Sequence, residues 1–480
     1  MKPLNFVFIM SDEHNAGMLG CYGHAIVKTP HIDALAASGV RFTAAYTNCP
    51  ICVPARASFA TGRYAHETGY WDNAHPYDGR VPGWGHRLQA TGHRVVSIGK
   101  LHYRNTTDPT GLDEQILPMH VKDGRGDLAG ALRAEMPPKT ATKGLAEHLG
   151  PGDSSVLRYD RQIAERACAW IEEAGGREDG PPWVLFVSFL APHYPLVAPP
   201  AFYAMYPPEE MPLPETKPAD DPTHHPWVRA IRKAWPYDDY MDEKKRRVAV
   251  ASYFGMCSFM DANVGAVLGA IEAAGLADRT RVVYASDHGE SLGKRGIWGK
   301  STLYEESAAV PLVLAGPDVP RGGVCRTAVS LADAYPTILA AVGEEPAEEE
   351  MRELPGASWF DIAASADDPE RAVFSEYHAA GAPTGGYMLR RGRYKYIHYA
   401  GFPPELFDLE NDPQEAFDLA REPGYTALIQ ELDTALRGVV DPEAADRKAR
   451  ADQAALVERY GGREAVLSGG GYFGSPTPTD

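Results

Sequence analysis

Residues 5–13 read Asn-Phe-Val-Phe-Ile-Met-Ser-Asp-Glu, and residues 281–289 read Arg-Val-Val-Tyr-Ala-Ser-Asp-His-Gly. In each stretch a short apolar run ends abruptly in small and acidic residues. A strand covered on both faces has this composition, because neither face meets water. Three further runs share it: Arg94–Ile98, Trp183–Phe189 and Pro311–Ala315. Helical patterns lie between them. Thr29–Ala37 has Pro30 at its start and Gly39 just past its end. Glu243–Ala274 spaces Tyr253, Met256, Met260, Val264, Val267 and Ile271 as a helix does. Alternating strands and helices predict an α/β fold on a large, mostly parallel sheet flanked by helices.

Outward from these runs, the chain of 480 residues is too long for one small core, and 44% hydrophobic with 23% charged residues is ordinary globular composition. Beyond an acidic run, Glu344–Glu353, read as a solvated linker, Ala372–Tyr377, Gly386–Arg391 and Lys395–His398 alternate like short strands, with a turn at Arg391–Gly392. Helical patterns follow at Tyr425–Arg437 and Pro442–Tyr460. We therefore expect a main domain over residues 1–365 and a smaller C-terminal α+β subdomain with a short antiparallel sheet over residues 366–480. Pro195–Tyr240, dense in proline and aromatics, reads as a long ordered loop on the substrate side. The tail Ser468–Asp480 reads as irregular, either disordered or packed on a neighbouring subunit, which makes a homo-oligomer an expectation.

Net charge is −18, from 65 acidic and 47 basic residues, which argues against a nucleic-acid partner. A small anionic substrate stays open, because a local basic cluster governs its own pocket. Asn5–Met10 is too short for a signal core, and no later stretch reads as a membrane span, so a cytoplasmic enzyme without a membrane partner is expected. The six cysteines are sparse; Cys49 and Cys52 form a CxxC spacing but lack a thioredoxin-like context.

The chemistry lies just past the strands. Ser11, Asp12 and Glu13 follow the first run; Lys100 and His102 follow the second; His193 follows the third; Asp287 and His288 follow the fourth. Ligands of open parallel sheets bind outside the carboxyl ends of strands, so these groups should converge on one cleft. Asp12, Asp287 and His288, with Glu13 as a weaker member, suit a divalent cation: Ca²⁺, Mg²⁺ or Mn²⁺, the imidazole tilting the choice toward Mn²⁺. Taken alone, Asp12 and Glu13 could equally cap a following helix.

The segment Cys52-Val-Pro-Ala-Arg-Ala-Ser-Phe-Ala-Thr-Gly-Arg63 places Pro54 in a first helical turn and Gly62 at the helix end. Cys52 then opens a helix whose free N–H groups favour an oxyanion. It could be an activated thiolate or simply a buried cysteine.

Cys-x-Pro-x-Arg at 52–56 with Thr61-Gly62-Arg63 resembles the signature of type I, formylglycine-dependent sulfatases of the alkaline phosphatase superfamily. The resemblance extends along the chain through Asp12, Lys100-Leu101-His102, Ala191-Pro192-His193, Ser286-Asp287-His288-Gly289 and Lys300. Glu405-Leu406-Phe407-Asp408-Leu409, with Asp412, Pro413 and Glu415, resembles the family's C-terminal motif. The resemblance implies that Cys52 is oxidised to formylglycine by a formylglycine-generating enzyme or its equivalent, and that its hydrate attacks sulfur. The metal would be held by Asp12, Glu13, Asp287, His288 and residue 52 itself. Arg56 would hold the hydrate and its neighbours, while Lys100, His193 and Lys300 bind sulfate oxygens, His193 or Lys300 protonating the leaving oxygen. His102 would later take a proton from the sulfated hemiacetal, releasing sulfate and restoring the aldehyde.

The chain departs from the family in having Glu13 where a second aspartate is usual, and His288 where Asn is frequent. Tyr70-Trp71-Asp72-Asn73-Ala74 with Lys100-Leu101-His102 is most similar to the choline sulfatase and phosphonate monoester hydrolase branch, whose members are often promiscuous. Asn73 is a candidate substrate contact or an Asx-turn residue. The expected activity is hydrolysis of aryl or alkyl sulfate monoesters. Phosphonate monoester or phosphodiester hydrolysis at the same site is the alternative, and a silent binding protein the competing class.

Overall fold

The computed structural model describes residues 2–176, 180–215, 224–468 and 475–478. In chain order its principal elements are β1 (Asn5–Asp12), α1 (Pro30–Ala37), β2 (Gly39–Phe42), α2 (Cys52–Thr61), β3 (Val95–Lys100), β4 (Glu114–Met119) and α3 (Ser155–Gly175). Then come β5 (Val184–Pro192), α4 (Glu243–Ala273), β6 (Thr280–Ser286), β7 (Leu312–Ala315) and β8 (Gly323–Cys325). The eight strands form one sheet in the order β8-β2-β7-β6-β1-β5-β3-β4. It is parallel from β6 through β4, and β7 runs antiparallel to both its neighbours.

β1 shows why the apolar runs are continuous. Phe6, Phe8 and Met10 enter one core, whereas Val7 and Ile9 enter the core on the opposite face. Helices cover both sides, so alternation in side-chain direction leaves no polar face. On the first side Phe59 of α2 meets Phe8 with ring centroids 4.8 Å apart. On the second, α3 and α4 bury Ile163, Ile171, Met260, Val264 and Val267.

α4, with 31 residues, is long and apolar enough by composition to cross a bilayer, which corrects the expectation that no stretch qualifies. It is a core helix: Tyr253, Met256 and Met260 are fully buried, and the Tyr253 hydroxyl donates to the Glu13 carbonyl at 2.7 Å. The 195–240 stretch is also corrected. Instead of a continuous loop it carries two helices, Pro200–Tyr203 and Pro226–Ala234, the second burying Trp227 and Ile231; residues 216–223 lie outside the described residues. The acidic run contains a short helix, Glu348–Glu353.

The C-terminal part forms a second, antiparallel sheet of four strands, β9 (Ala372–Tyr377), β10 (Gly386–Arg391), β11 (Tyr394–Tyr399) and β12 (Glu405–Asp408). One face packs Phe374, Leu389 and Leu406 against Leu432 and Leu436 of α5 (Thr426–Val439). The other packs Met388, Ile397 and Phe407 with Ile51, Trp227 and Leu303. The small sheet is therefore fused to the loop that delivers Cys52.

Candidate active site

Four strand ends, those of β1, β3, β5 and β6, and one helix start build the site. β1 and β3 each break register at their carboxyl ends, between Met10 and Asp12 and between Ile98 and Lys100. Such shifts re-aim side chains at a sheet's end. Glu13 and His102, just beyond them, hold left-handed backbone at φ 67° and 55°, a conformation that strains residues other than glycine and is characteristic of functional sites. α2 begins at Cys52 and ends at Gly62, φ 66°. A side chain on Gly62 would meet the Tyr335 Cβ at 2.8 Å as well as an unfavourable backbone angle.

Asp12, Cys52, Asp287 and His288, all buried, bring one ligand atom each within 4.8 Å of one another. Cys52 Sγ lies 3.1 Å from His288 Nε2 and 3.7 Å from Asp12 Oδ1. His288 Nδ1 faces the Gly289 carbonyl at 3.1 Å, so its proton sits there and Nε2 turns a lone pair into the cluster. Two buried carboxylates, an inward imidazole and residue 52 fit a hard divalent cation. Arg56 underlies them: Nε donates to Asp287 Oδ2 at 2.9 Å, Nη1 to the Lys100 carbonyl and Ser188 Oγ, both at 2.8 Å. Its Nη2 lies 3.5 Å from Asp12 Oδ2. Burial works against the Asp12 anion, but Lys100, with Arg56, outweighs it and holds this carboxyl well below its usual range.

Glu13 turns away from the four-atom group. Its Oε2 accepts from Lys300 Nζ at 2.8 Å and lies 3.2 Å from His193 Nε2, while its backbone N–H donates to Asp287 Oδ1 at 3.2 Å. With Asp12 and His193 it forms a second, adjoining cluster. His193 Nδ1 faces the Tyr194 carbonyl at 2.8 Å, so Nε2 is the nitrogen turned toward Glu13. A proton between the two accords with burial raising the Glu13 carboxyl well above its ordinary range, Lys300 pulling the other way. Burial, reinforced by Lys100, keeps His102 well below its ordinary value, and burial with Lys300 does the same to His193; both imidazoles are neutral. Burial and the Asp12 carboxylate push the Cys52 thiol up to about 12, so the unmodified side chain is a poor nucleophile.

These groups open into one cavity of about 420 Å³, lined by Cys52, Asn73, Lys100, His102, His193 and Lys300 among others. Asn73 lines it, but its side-chain oxygen accepts from the Val53 N–H at 3.2 Å and so caps the start of α2.

Sequence reasoning missed several members. Asp160 of α3 accepts from the Leu190 and Ala191 N–H groups at 2.8 and 2.7 Å, fixing the turn that carries His193; burial pushes it up to about 7. A buried acid among the apolar positions Tyr159, Ile163 and Ala164 was the available signal. Ser475, in the tail, reaches His102: Oγ is 2.9 Å from Nε2, and Ser475–Thr477 line the cavity. The tail thus meets the site of its own chain, and nothing in its composition signals that; residues 469–474 and 479–480 lie outside the described residues.

Fold and site together define an α/β protein on a mostly parallel sheet, in which strand ends gather a candidate metal-binding cluster beside cationic groups. Residues 4–344 match the family model described as Sulfatase, and residues 293–441 one described as N-sulphoglucosamine sulphohydrolase, C-terminal. A choline-sulfatase of Rhizobium meliloti (strain 1021) is 30% identical, over 98% of this chain and 93% of the relative. Arylsulfatase K of Xenopus laevis is 28% identical, over 91% and 82%. A phosphonate monoester hydrolase of Agrobacterium radiobacter superposes with a TM-score of 0.73 at 24% identity, covering 91% of this chain and 95% of that one. A 2-O GAG sulfatase gives 0.70 at 24% identity, covering 91% and 92%. The chain belongs to the sulfatase family and is a sulfuric ester hydrolase.

Proposed function

We propose that the enzyme cleaves aryl or alkyl sulfate monoesters with residue 52 in its formylglycine form, after maturation by a formylglycine-generating enzyme, and with Ca²⁺ or Mn²⁺ rather than Mg²⁺ held by Asp12, Asp287, His288 and residue 52. The observation carrying this reading is the convergence of Cys52, at the first turn of α2, on two buried carboxylates and an imidazole within 4.8 Å. When bound, the cation and the aldehyde hydrate supply a Lewis acid and an oxygen nucleophile. Arg56 fixes the geometry by bridging Asp287, the Lys100 carbonyl and Ser188. Lys100 and Lys300 line the cavity and offset charge on the sulfate oxygens. His193 or Lys300 is the proton donor to the leaving oxygen; both turn to Glu13 Oε2, at 3.2 and 2.8 Å. His102, neutral, is the base that recovers a proton from residue 52. The tail contact with His102 supports a role for Ser475 in closing the cavity, and we retain a homo-oligomer as part of the proposal.

Mass spectrometry of the Cys52 peptide from protein made in its native host should show formylglycine, and metal analysis should show Ca²⁺ or Mn²⁺. An aryl sulfate should exceed a phenyl phosphonate ester and a phosphate diester in kcat/KM. Unmodified Cys52 in fully active protein, or a sulfate value far below the other two, would reject the reading.

A further inference from the structure

Besides the groups already placed, the cavity wall carries Lys122, Asp127, Lys139, Tyr194 and Trp235. Three features of this wall bear on what the leaving group carries. Asp127 is the one carboxylate among the described lining residues, and it is engaged: one oxygen accepts from Lys139 Nζ, the other from the Gly130 N–H at 3.1 Å. Both aromatic rings face lysines, with Lys300 Nζ 5.0 Å from the Tyr194 centroid and Lys139 Nζ 5.0 Å from that of Trp235. Lys122 is exposed and lacks an acidic partner among the described residues.

A quaternary ammonium is recognised by aromatic faces and carboxylates. Here the rings already face the protein's own cations, and with Lys139 matched by Asp127 the uncompensated charge that a bound ammonium would meet is Lys122. In a chain of net charge −18, this wall is a local reversal of sign, the arrangement that draws and orients an anion. The two aromatic rings of this wall, Tyr194 and Trp235, thus face lysines.

The geometry points to a substrate whose alcohol portion bears a second anionic group, a carboxylate or another sulfate, docked against Lys122. This rests on the sulfatase reading for the position of the first sulfate, and it sets this chain apart in leaving-group charge from an enzyme built for choline sulfate.

The test uses three sulfate esters of similar size: carboxyethyl sulfate, the uncharged tert-butylethyl sulfate, and choline sulfate. Calorimetry on full-length Cys52→Ala protein loaded with Ca²⁺ or Mn²⁺ reads binding without turnover. The carboxylate ester should bind about fivefold more tightly than the neutral one, and the neutral one about fivefold more tightly than the choline ester. Lys122→Glu should invert the order of the two charged esters; Lys122→Gln should narrow it. Equal affinities, tighter choline ester binding, no binding of any ester, or an unchanged ratio in Lys122→Glu would each overturn the inference. Turnover of the neutral ester by the wild-type enzyme reads the sulfatase activity separately, so its absence alongside the expected binding order would reject that reading and leave the anion preference standing.

Discussion

Two of the places where the molecule buries charge are built differently. At the carboxyl ends of β1, β3, β5 and β6, charged groups surround a cavity with hydrogen-bonding capacity unspent: Glu13 Oε1, Arg56 Nη2 and His102 Nδ1 are buried without a hydrogen-bond partner. Under the small sheet, charge is closed on itself. Lys395, wholly buried, lies 2.8 Å from Glu415 and 3.0 Å from Glu305; Glu415 accepts from the Glu305 N–H at 2.7 Å; Arg295 pairs with Glu306. Glu405 sits between the hydroxyls of Tyr304 and Tyr399, each at 2.9 Å. A buried ion cluster is weak evidence for function, because structural networks shift pKa values as strongly. Unmet hydrogen-bonding atoms do not separate the two, since Glu306 Oε2 and Glu415 Oε1 also lack a partner; what does is that only the first gathers four potential metal ligands at strand ends, whereas the second matches its carboxylates to Lys395 and Arg295.

That contrast is open to direct attack. The largest effect should come from Cys52→Ala, with turnover reduced roughly 10⁴-fold or more and Tm unchanged within about 1 °C, measured by steady-state kinetics and calorimetry. A parallel fall in Tm would show that the open cluster also supports the fold. Next, Lys395→Ala should leave kcat/KM near wild type and cost about 3–5 kcal/mol by denaturant unfolding, since it strands Glu415 as an unpaired buried charge. Loss of activity in protein still folded would erase the distinction between the regions. Asp287→Asn should lower bound metal and kcat/KM together, about 10²-fold, with activity partly recovered at high metal concentration. Full activity in metal-free buffer would contradict the cation model.

The smallest effect sharpens the closed side. Burial pushes Glu405 up to about 7. The folded chain therefore holds a proton that the unfolded chain has released between the ordinary carboxyl value and about 7, so stability falls as pH rises through that interval. Glu405→Gln should be nearly neutral at pH 5 and more stable than wild type by roughly 1–3 kcal/mol at pH 8. A pH-independent difference would mean that Glu405 is ionised throughout.

Much was legible in the chain itself, for identifiable reasons. The five buried strands announce themselves because both sheet faces are covered, and Phe6 to Met10 must be apolar whichever way each points. The edge strands Glu114–Met119 and Gly323–Cys325 did not, since part-exposed edges mix polar and apolar residues, and neither did the interior Gly39–Phe42, which is only four residues long. The helix Pro226–Ala234 stayed hidden behind the surrounding prolines, its apolar face defined only by packing on the small sheet.

The sequence by itself determined which chemical groups follow which strands, and from Cys52 through Gly62 it determined a helix start at residue 52, because propensity, capping and strand composition are local properties. Tertiary structure alone decided how those groups are used. It turned Glu13 toward Lys300 and His193, brought Ser475 to His102 across 373 positions, and set the rings of Tyr194 and Trp235 facing lysines. Those outcomes depend on distances between segments remote along the chain, which no local pattern encodes.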